Sequence, residues 1–262
     1  MKRIHLFEIC DQPWLPATLR DAATAYLETS LRLSGQAKFL FPKLAAALRA
    51  AKTEQILDLC SGSGGPVPLA IEELPVLGIE VRATLTDAFP NVAAFERLAR
   101  ESSGRIDFIR EPVDATRVPR ELEGLRTLFN AFHHFRPERA RAILDAAARD
   151  RHPIAIFELV GRDPAMLLGI LFAWLGVLFV MPFVRPFRWS GLFFTYVLPV
   201  LPLLVVFDGL VSCLRVYSVS ELEALAAEAD APGYHFEAGR IRIGRAPVYA
   251  TYLIGTPNSD RP

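Results

Sequence analysis

The sequence predicts an α/β fold, a doubly wound seven-stranded sheet that ends in a C-terminal antiparallel hairpin. Three observations carry this. From residue 53 onward, short apolar runs alternate with amphipathic stretches of helical length, which calls for a parallel sheet with helices on both faces. The first apolar run stops at a glycine-rich turn. The last two runs, 234–243 and 248–255, are joined by a short Gly-Arg-Ala-Pro turn, so they pair antiparallel.

Taken in order, Ala17 to about Lys52 reads as two helices split at Ser34-Gly35. Ile56–Cys60 is the first strand, followed by the Ser-Gly-Ser-Gly-Gly turn and a helix with Pro66 in its first turn. Val81–Thr86, Ile106–Arg110, residues 127–130 and Ile154–Val160 are the next strands, with helices after the second and fourth. Ser218 or Ser220 caps a later helix, with Glu221 and Glu223 at its positive end. The chain thus divides into an N-terminal helical cap (1–52), a core (53–163 and 217–262) and an apolar helical insertion (164–216).

The 262 residues suffice for one α/β domain with an insertion. Lys+Arg and Asp+Glu both number 29, so no positive field exists to hold a phosphate backbone, and nucleic acid is excluded as the expected partner. Hydrophobic residues make up 52%, concentrated between Pro164 and Val216. Cys10, Cys60 and Cys213 are too few for a disulfide framework or a zinc site, so no metal is expected. Glu8 and Asp11 break the N-terminal apolar stretch, which argues against a signal peptide and for a cytoplasmic chain.

The segment Ile56–Gly65, Ile-Leu-Asp-Leu-Cys-Ser-Gly-Ser-Gly-Gly, is the strongest signal. It fails as a dinucleotide fingerprint because Val67 stands where the last glycine belongs, and it has no Gly-Lys-Ser/Thr for a P-loop. It resembles motif I of the class I S-adenosylmethionine-dependent methyltransferases, with Cys60 where the first glycine usually falls. The N-terminal stretch His5–Pro16 also resembles bacterial methyltransferase-like proteins that share this loop. The resemblance implies a Rossmann-like fold with S-adenosylmethionine as cofactor. Asp58, Gly62 and Gly64 would form the loop beside the methionine part, and Asp87 would take the ribose hydroxyls. Asp114 would accept from the adenine amino group, and Asn130 would contact the cofactor. Asp87 is also placed to cap the helix that follows it, and Asp114 to make an ordinary turn.

In the same family the segment after the fourth strand, here Phe129–Phe135, borders the reacting methyl group. Methyl transfer from a sulfonium needs chiefly proximity and alignment, with a base only where a hydroxyl must lose its proton. His133, His134 and Asp208 are the candidates for that base, and packing is the other role open to each histidine. Asp208, Ser212 and Arg215 share a helical face that points either into the acceptor cleft or to a structural tether. After the fifth strand only Glu158 and Asp163 offer carboxylates for a metal-dependent site, which is weak.

Residues 164–184 and 189–207 contain no charged residue, and each piece approaches bilayer length. Pro199 and Pro202 interrupt the second piece, Asp208 follows it, and both ends return to one sheet. A shallow helical hairpin in one leaflet satisfies all three, with Trp174, Trp189 and Tyr196 at the interface. A buried lid or a homodimer interface is the alternative. The expectation is methyl transfer to a lipophilic small molecule or membrane lipid, at the inner face of the membrane. Its rivals are a soluble dimeric small-molecule enzyme and a non-catalytic binding scaffold.

Overall fold

The computed structural model describes residues 2–229, 231–245 and 247–258. Seven strands form one sheet: β1 (Gln55–Asp58), β2 (Arg82–Leu85), β3 (Ile106–Phe108), β4 (Leu125–Phe129), β5 (Ile154–Glu158), β6 (Tyr234–Arg242) and β7 (Tyr249–Pro257). Their order is β3-β2-β1-β4-β5-β7-β6. The first five are parallel, and β7 runs antiparallel to both β5 and β6. The expected doubly wound sheet with its terminal hairpin is what the chain forms.

The helices are α1 (Ala17–Ser34), α2 (Phe41–Ala50), α3 (Val67–Glu73), α4 (Val92–Glu101), α5 (Pro137–Asp150), α6 (Pro164–Leu171), α7 (Ala173–Val180), α8 (Trp189–Leu192), α9 (Val200–Arg215) and α10 (Val219–Glu228). Gly35 ends α1 in the left-handed conformation (φ 63°), which a glycine adopts without a Cβ penalty. Ser218, not Ser220, caps α10, and Glu221 returns the bond to the Ser218 amide in a full capping box.

The two faces of the sheet bury separate cores. On one, Leu44 and Leu48 of α2 pack with Ile71 of α3, Phe95 of α4 and the strand residues Ile56, Leu85, Leu125 and Phe157. On the other, Ile143 and Leu144 of α5 and Leu222 of α10 pack on Leu57, Leu128 and Ile156. Alternate residues of β1 and β4 thus feed opposite layers, as the period of a strand requires.

A third core lies off the sheet. Leu15, Leu19, Ala22, Ala23 and Tyr26 pack against Val177, Met181, Val184, Leu201, Leu204 and Val205. The segment expected as one cap therefore splits in its packing, with α1 joining the insertion and α2 joining the sheet.

Among the described residues no single helix is long and apolar enough to cross a membrane. The insertion bends by 45° between α6 and α7, and by 85° between the α8 region and α9. Pro199 stands at the second bend. Pro202 was expected to break the helix again, but α9 runs through it. It lies in the first turn, where its missing N–H has no intrahelical partner to lose. The insertion leaves large apolar side chains uncovered, with Phe179, Phe183, Trp189, Val197 and Leu203 each 68–77% exposed.

Candidate functional site

The turn after β1 gathers most of the expected cofactor residues. Cys60, Gly62, Gly64 and Gly65 all have positive φ, so the backbone coils tightly from strand into α3. Cys60, at φ 61°, occupies a conformation that L residues adopt at a cost of about 1 kcal/mol or more. A Cβ on Gly64 would sit 2.3 Å from Leu98 Cδ1, so α4 packs directly on the loop. A Cβ on Gly62 would meet nothing within 4 Å, so this part of the loop faces open space.

Asp58 is fully buried behind the loop. The Thr127 hydroxyl donates to its Oδ1 at 2.6 Å, and its carbonyl accepts from the Ser61 and Thr86 hydroxyls. Burial pushes its carboxyl up to about 7, against the pull of the hydrogen bonds from Ser61 and Thr127. Asp87 reaches across from the end of β2. Its Oδ2 accepts from the Gly62 amide at 2.9 Å, and its Oδ1 from the Phe89 amide at 2.8 Å. The α4 cap is Asn91, whose side chain accepts from Ala94, so Asp87 is not spent on capping.

Asp114 and Asn130 have local work. Asp114 accepts from the Thr116 amide and hydroxyl and from Arg139. Burial raises its carboxyl, but those hydrogen bonds and the Arg139 charge outweigh it and leave the group below its ordinary value. Asn130, at φ 50°, bridges the ends of β4 and β5 by accepting from the Leu159 amide at 2.6 Å. One cavity of about 420 Å³ lies between α1, α3 and α4, and none of these candidates lines it.

A second cluster forms where the N-terminal segment crosses the ends of β4 and β5. His133 and His134 sit on a 3-10 turn after β4. His133 is 3% exposed, and its Nδ1 lies 2.7 Å from Glu158 Oε2, while its amide donates to Glu158 Oε1. Burial lowers its imidazole, yet the Glu158 and Glu8 carboxylates outweigh that and raise it to about 9. His134 is partly exposed, with Nδ1 3.1 Å from Asp11 Oδ2.

Glu8 is the residue the sequence did not single out for chemistry. It is buried between the two histidines, and its Oε1 meets Arg215 Nη1 at 3.1 Å and the Ser212 hydroxyl at 3.0 Å. Its position so early in the chain left no spacing to detect. Arg215 also holds Asp11 at 3.0 Å and the His134 carbonyl. Asp208 joins this cluster as a tether, since its oxygens accept from the amides of Ile9 and Cys10 at 2.7 and 2.9 Å. The polar face of α9 therefore serves the N-terminal segment, one of the two destinations open to it.

No protein-family model matches the chain, and no curated protein sequence does. Solved structures do resemble it. An O-methyltransferase from neocarzinostatin biosynthesis, crystallised with S-adenosylmethionine and 2-hydroxy-5-methyl naphthoic acid, superposes with a TM-score of 0.52 at 18% identity. That match covers 92% of this chain and 58% of the other. The same enzyme with S-adenosyl-L-homocysteine and 1,4-dihydroxy-2-naphthoic acid gives 0.54 at 18% identity, with 92% and 59% coverage. The methyltransferase domain of a bacterial Hen1 gives 0.50 at 14% identity, covering 85% of this chain and 99% of that one. The chain thus spans less than three fifths of the length of the first neighbour, and it shares the fold of S-adenosylmethionine-dependent methyltransferases.

Proposed function

We propose that the chain transfers a methyl group from S-adenosylmethionine to a lipophilic small molecule or membrane lipid. The observation that carries this reading is the link between the glycine loop and Asp87, at the carboxyl ends of β1 and β2, in a sheet of methyltransferase topology. Ligands of open α/β sheets bind at such strand ends. The residues fit the cofactor: the loop is bare at Gly62, and Asp87 retains lone pairs for two neighbouring hydroxyls.

Bound there, the cofactor would supply a methyl on a sulfonium, whose neutral thioether is a good leaving group. The chain's own work is to position. Asp58 and Thr127 stiffen the loop from behind, and Asp87, held on the Gly62 amide, would take the ribose hydroxyls. The group of His133, His134 and Glu8 stands after β4 on the acceptor side, with His134 the histidine that meets solvent. Calorimetry with S-adenosylhomocysteine tests the reading. Asp87→Ala is expected to weaken binding by roughly one to two decades, the effect of losing a charged hydrogen-bond partner. Absence of binding to folded wild-type protein overturns it.

The membrane part of the reading rests on the uncovered apolar side chains of the insertion. Phe179, Phe183 and Trp189 stand exposed on consecutive segments, and large apolar side chains left bare in such number mark a contact surface. Arg185 and Arg188 lie between Phe183 and Trp189; Arg188 pairs with Asp21 at 2.7 Å, which leaves Arg185 as the cation for anionic headgroups. Vesicles containing anionic lipid are expected to carry the protein upward in a density gradient. Replacing Phe179, Phe183 and Trp189 together with Gln should cut that binding at least about tenfold, since each aromatic buries about 1.5–3 kcal/mol of transfer energy. Wild-type protein that stays behind as a dimer favours the dimeric alternative.

A further inference from the structure

The two histidines after β4 are oriented alike. Each holds Nδ1 against a carboxylate, His133 on Glu158 at 2.7 Å and His134 on Asp11 at 3.1 Å. Each turns Nε2 toward the same third carboxylate. His133 Nε2 lies 3.5 Å from Glu8 Oε1, and His134 Nε2 lies 3.8 Å from Glu8 Oε2. One ligand atom from each of the three residues lies within 4.8 Å of the others. His133 Nε2 is buried and has no hydrogen-bond partner, a costly state for a polar atom in a side chain only 3% exposed.

We propose that Glu8, His133 and His134 form a binding site for a divalent transition-metal ion of the zinc class. Bonds of about 2.0–2.1 Å in a tetrahedron set neighbouring ligand atoms about 3.3–3.4 Å apart. Each imidazole Nε2 lies 3.5–3.8 Å from one oxygen of the Glu8 carboxylate, so a rotation of that carboxylate brings a single oxygen toward both rings. A histidine that ligates a metal through Nε2 typically gives its Nδ1–H to a carboxylate, which fixes tautomer and ring orientation. Glu158 and Asp11 supply that second contact to both rings. Two imidazoles with one carboxylate suit zinc, cobalt or nickel, whereas magnesium and calcium take oxygen ligands.

The surroundings accept the added charge. With both imidazoles neutral, as ligation requires, the carboxylates of Glu8, Asp11 and Glu158 outnumber the guanidiniums of Arg215 and Arg3, the latter on the His133 carbonyl. Arg215 and Ser212 hold Glu8 Oε1, which fixes the carboxylate between the two rings. Three protein ligands leave a fourth position for water or an acceptor oxygen, on the side where His134 is 31% exposed. This site stands whether or not the chain transfers methyl groups.

The test uses the untagged, metal-stripped chain, titrated with zinc chloride by calorimetry and with cobalt chloride by visible absorption. One equivalent is expected to bind, and the cobalt form should show the intense visible bands of a tetrahedral ion. His134→Ala, at a partly exposed position, should weaken zinc binding at least about 100-fold. Asp11→Asn should weaken it about 10–100-fold by freeing the His134 ring, with the far-UV spectrum of both variants unchanged. Absence of stoichiometric binding to the wild-type chain overturns the site, and so does binding that both variants retain in full. The S-adenosylhomocysteine titration is a separate measurement, so failure of either reading is seen independently of the other.

Discussion

Asp58→Asn is expected to make the protein more stable than the parent chain above neutral pH, once their difference at pH 4 is subtracted. The gain should approach roughly 4 kcal/mol at pH 8, the value of a shift from 3.8 to about 7. The folded chain holds the Asp58 proton more tightly than the unfolded chain does. Its stabilising contribution is therefore complete below about pH 4 and disappears as the pH rises through about 7. The asparagine stays neutral throughout and still offers an oxygen to the Thr127 hydroxyl. Urea unfolding of both proteins across pH 4–8 measures this. A difference that does not change with pH would show that Asp58 is not held by burial in the way its surroundings imply.

The second large effect concerns Arg126, a guanidinium 1% exposed within the central strand β4. Its partner is Asp150 at the end of α5, at 3.5 Å, and its Nε has no hydrogen bond. Burial lowers the Arg126 pKa, with Asp150 pulling the other way. Asp150→Ala removes the compensating charge and is expected to cost about 3–5 kcal/mol. The double variant Arg126→Met/Asp150→Ala should recover most of that loss, because an apolar side chain of similar volume needs no partner in the α5 layer. If the double variant is no more stable than Asp150→Ala alone, the pair is not the reason for the loss.

Most of the sheet could be read from the sequence because its signals are local. The alternation of apolar runs and amphipathic stretches located the strands between Ile56 and Val160, and the Gly-Arg-Ala-Pro turn gave the hairpin. The loop at Cys60–Gly65 was legible for the same reason, since a left-handed backbone announces itself through glycine. Asp87 was readable as a strand-end carboxylate. Whether it capped a helix was not, because Asn91 lies within reach of the same amides.

What stayed hidden depends on contacts between distant residues. Asp208, Ser212 and Arg215 share a face by spacing, but nothing in that spacing says that Ile9, Cys10 and Glu8 are what the face meets. Glu8 looked like an interruption in an apolar run. The break between α6 and α7 falls at Phe172, which is neither proline nor glycine, so composition gave no warning of it.

The N-terminal segment has a timing problem during synthesis. Ile9 and Cys10 hang from Asp208, which follows them by 199 and 198 residues, and Arg3 bonds the carbonyl of Arg215. At about 5–20 residues per second, the ribosome delivers that helix on the order of 10–40 s after the segment emerges. Until then Glu8 lacks Arg215, and Leu15, Leu19 and Tyr26 lack the α9 residues of their core. Residues 3–10 are thus among the last to dock, and until then the nascent chain carries a loose, half-apolar segment that a chaperone is well placed to hold.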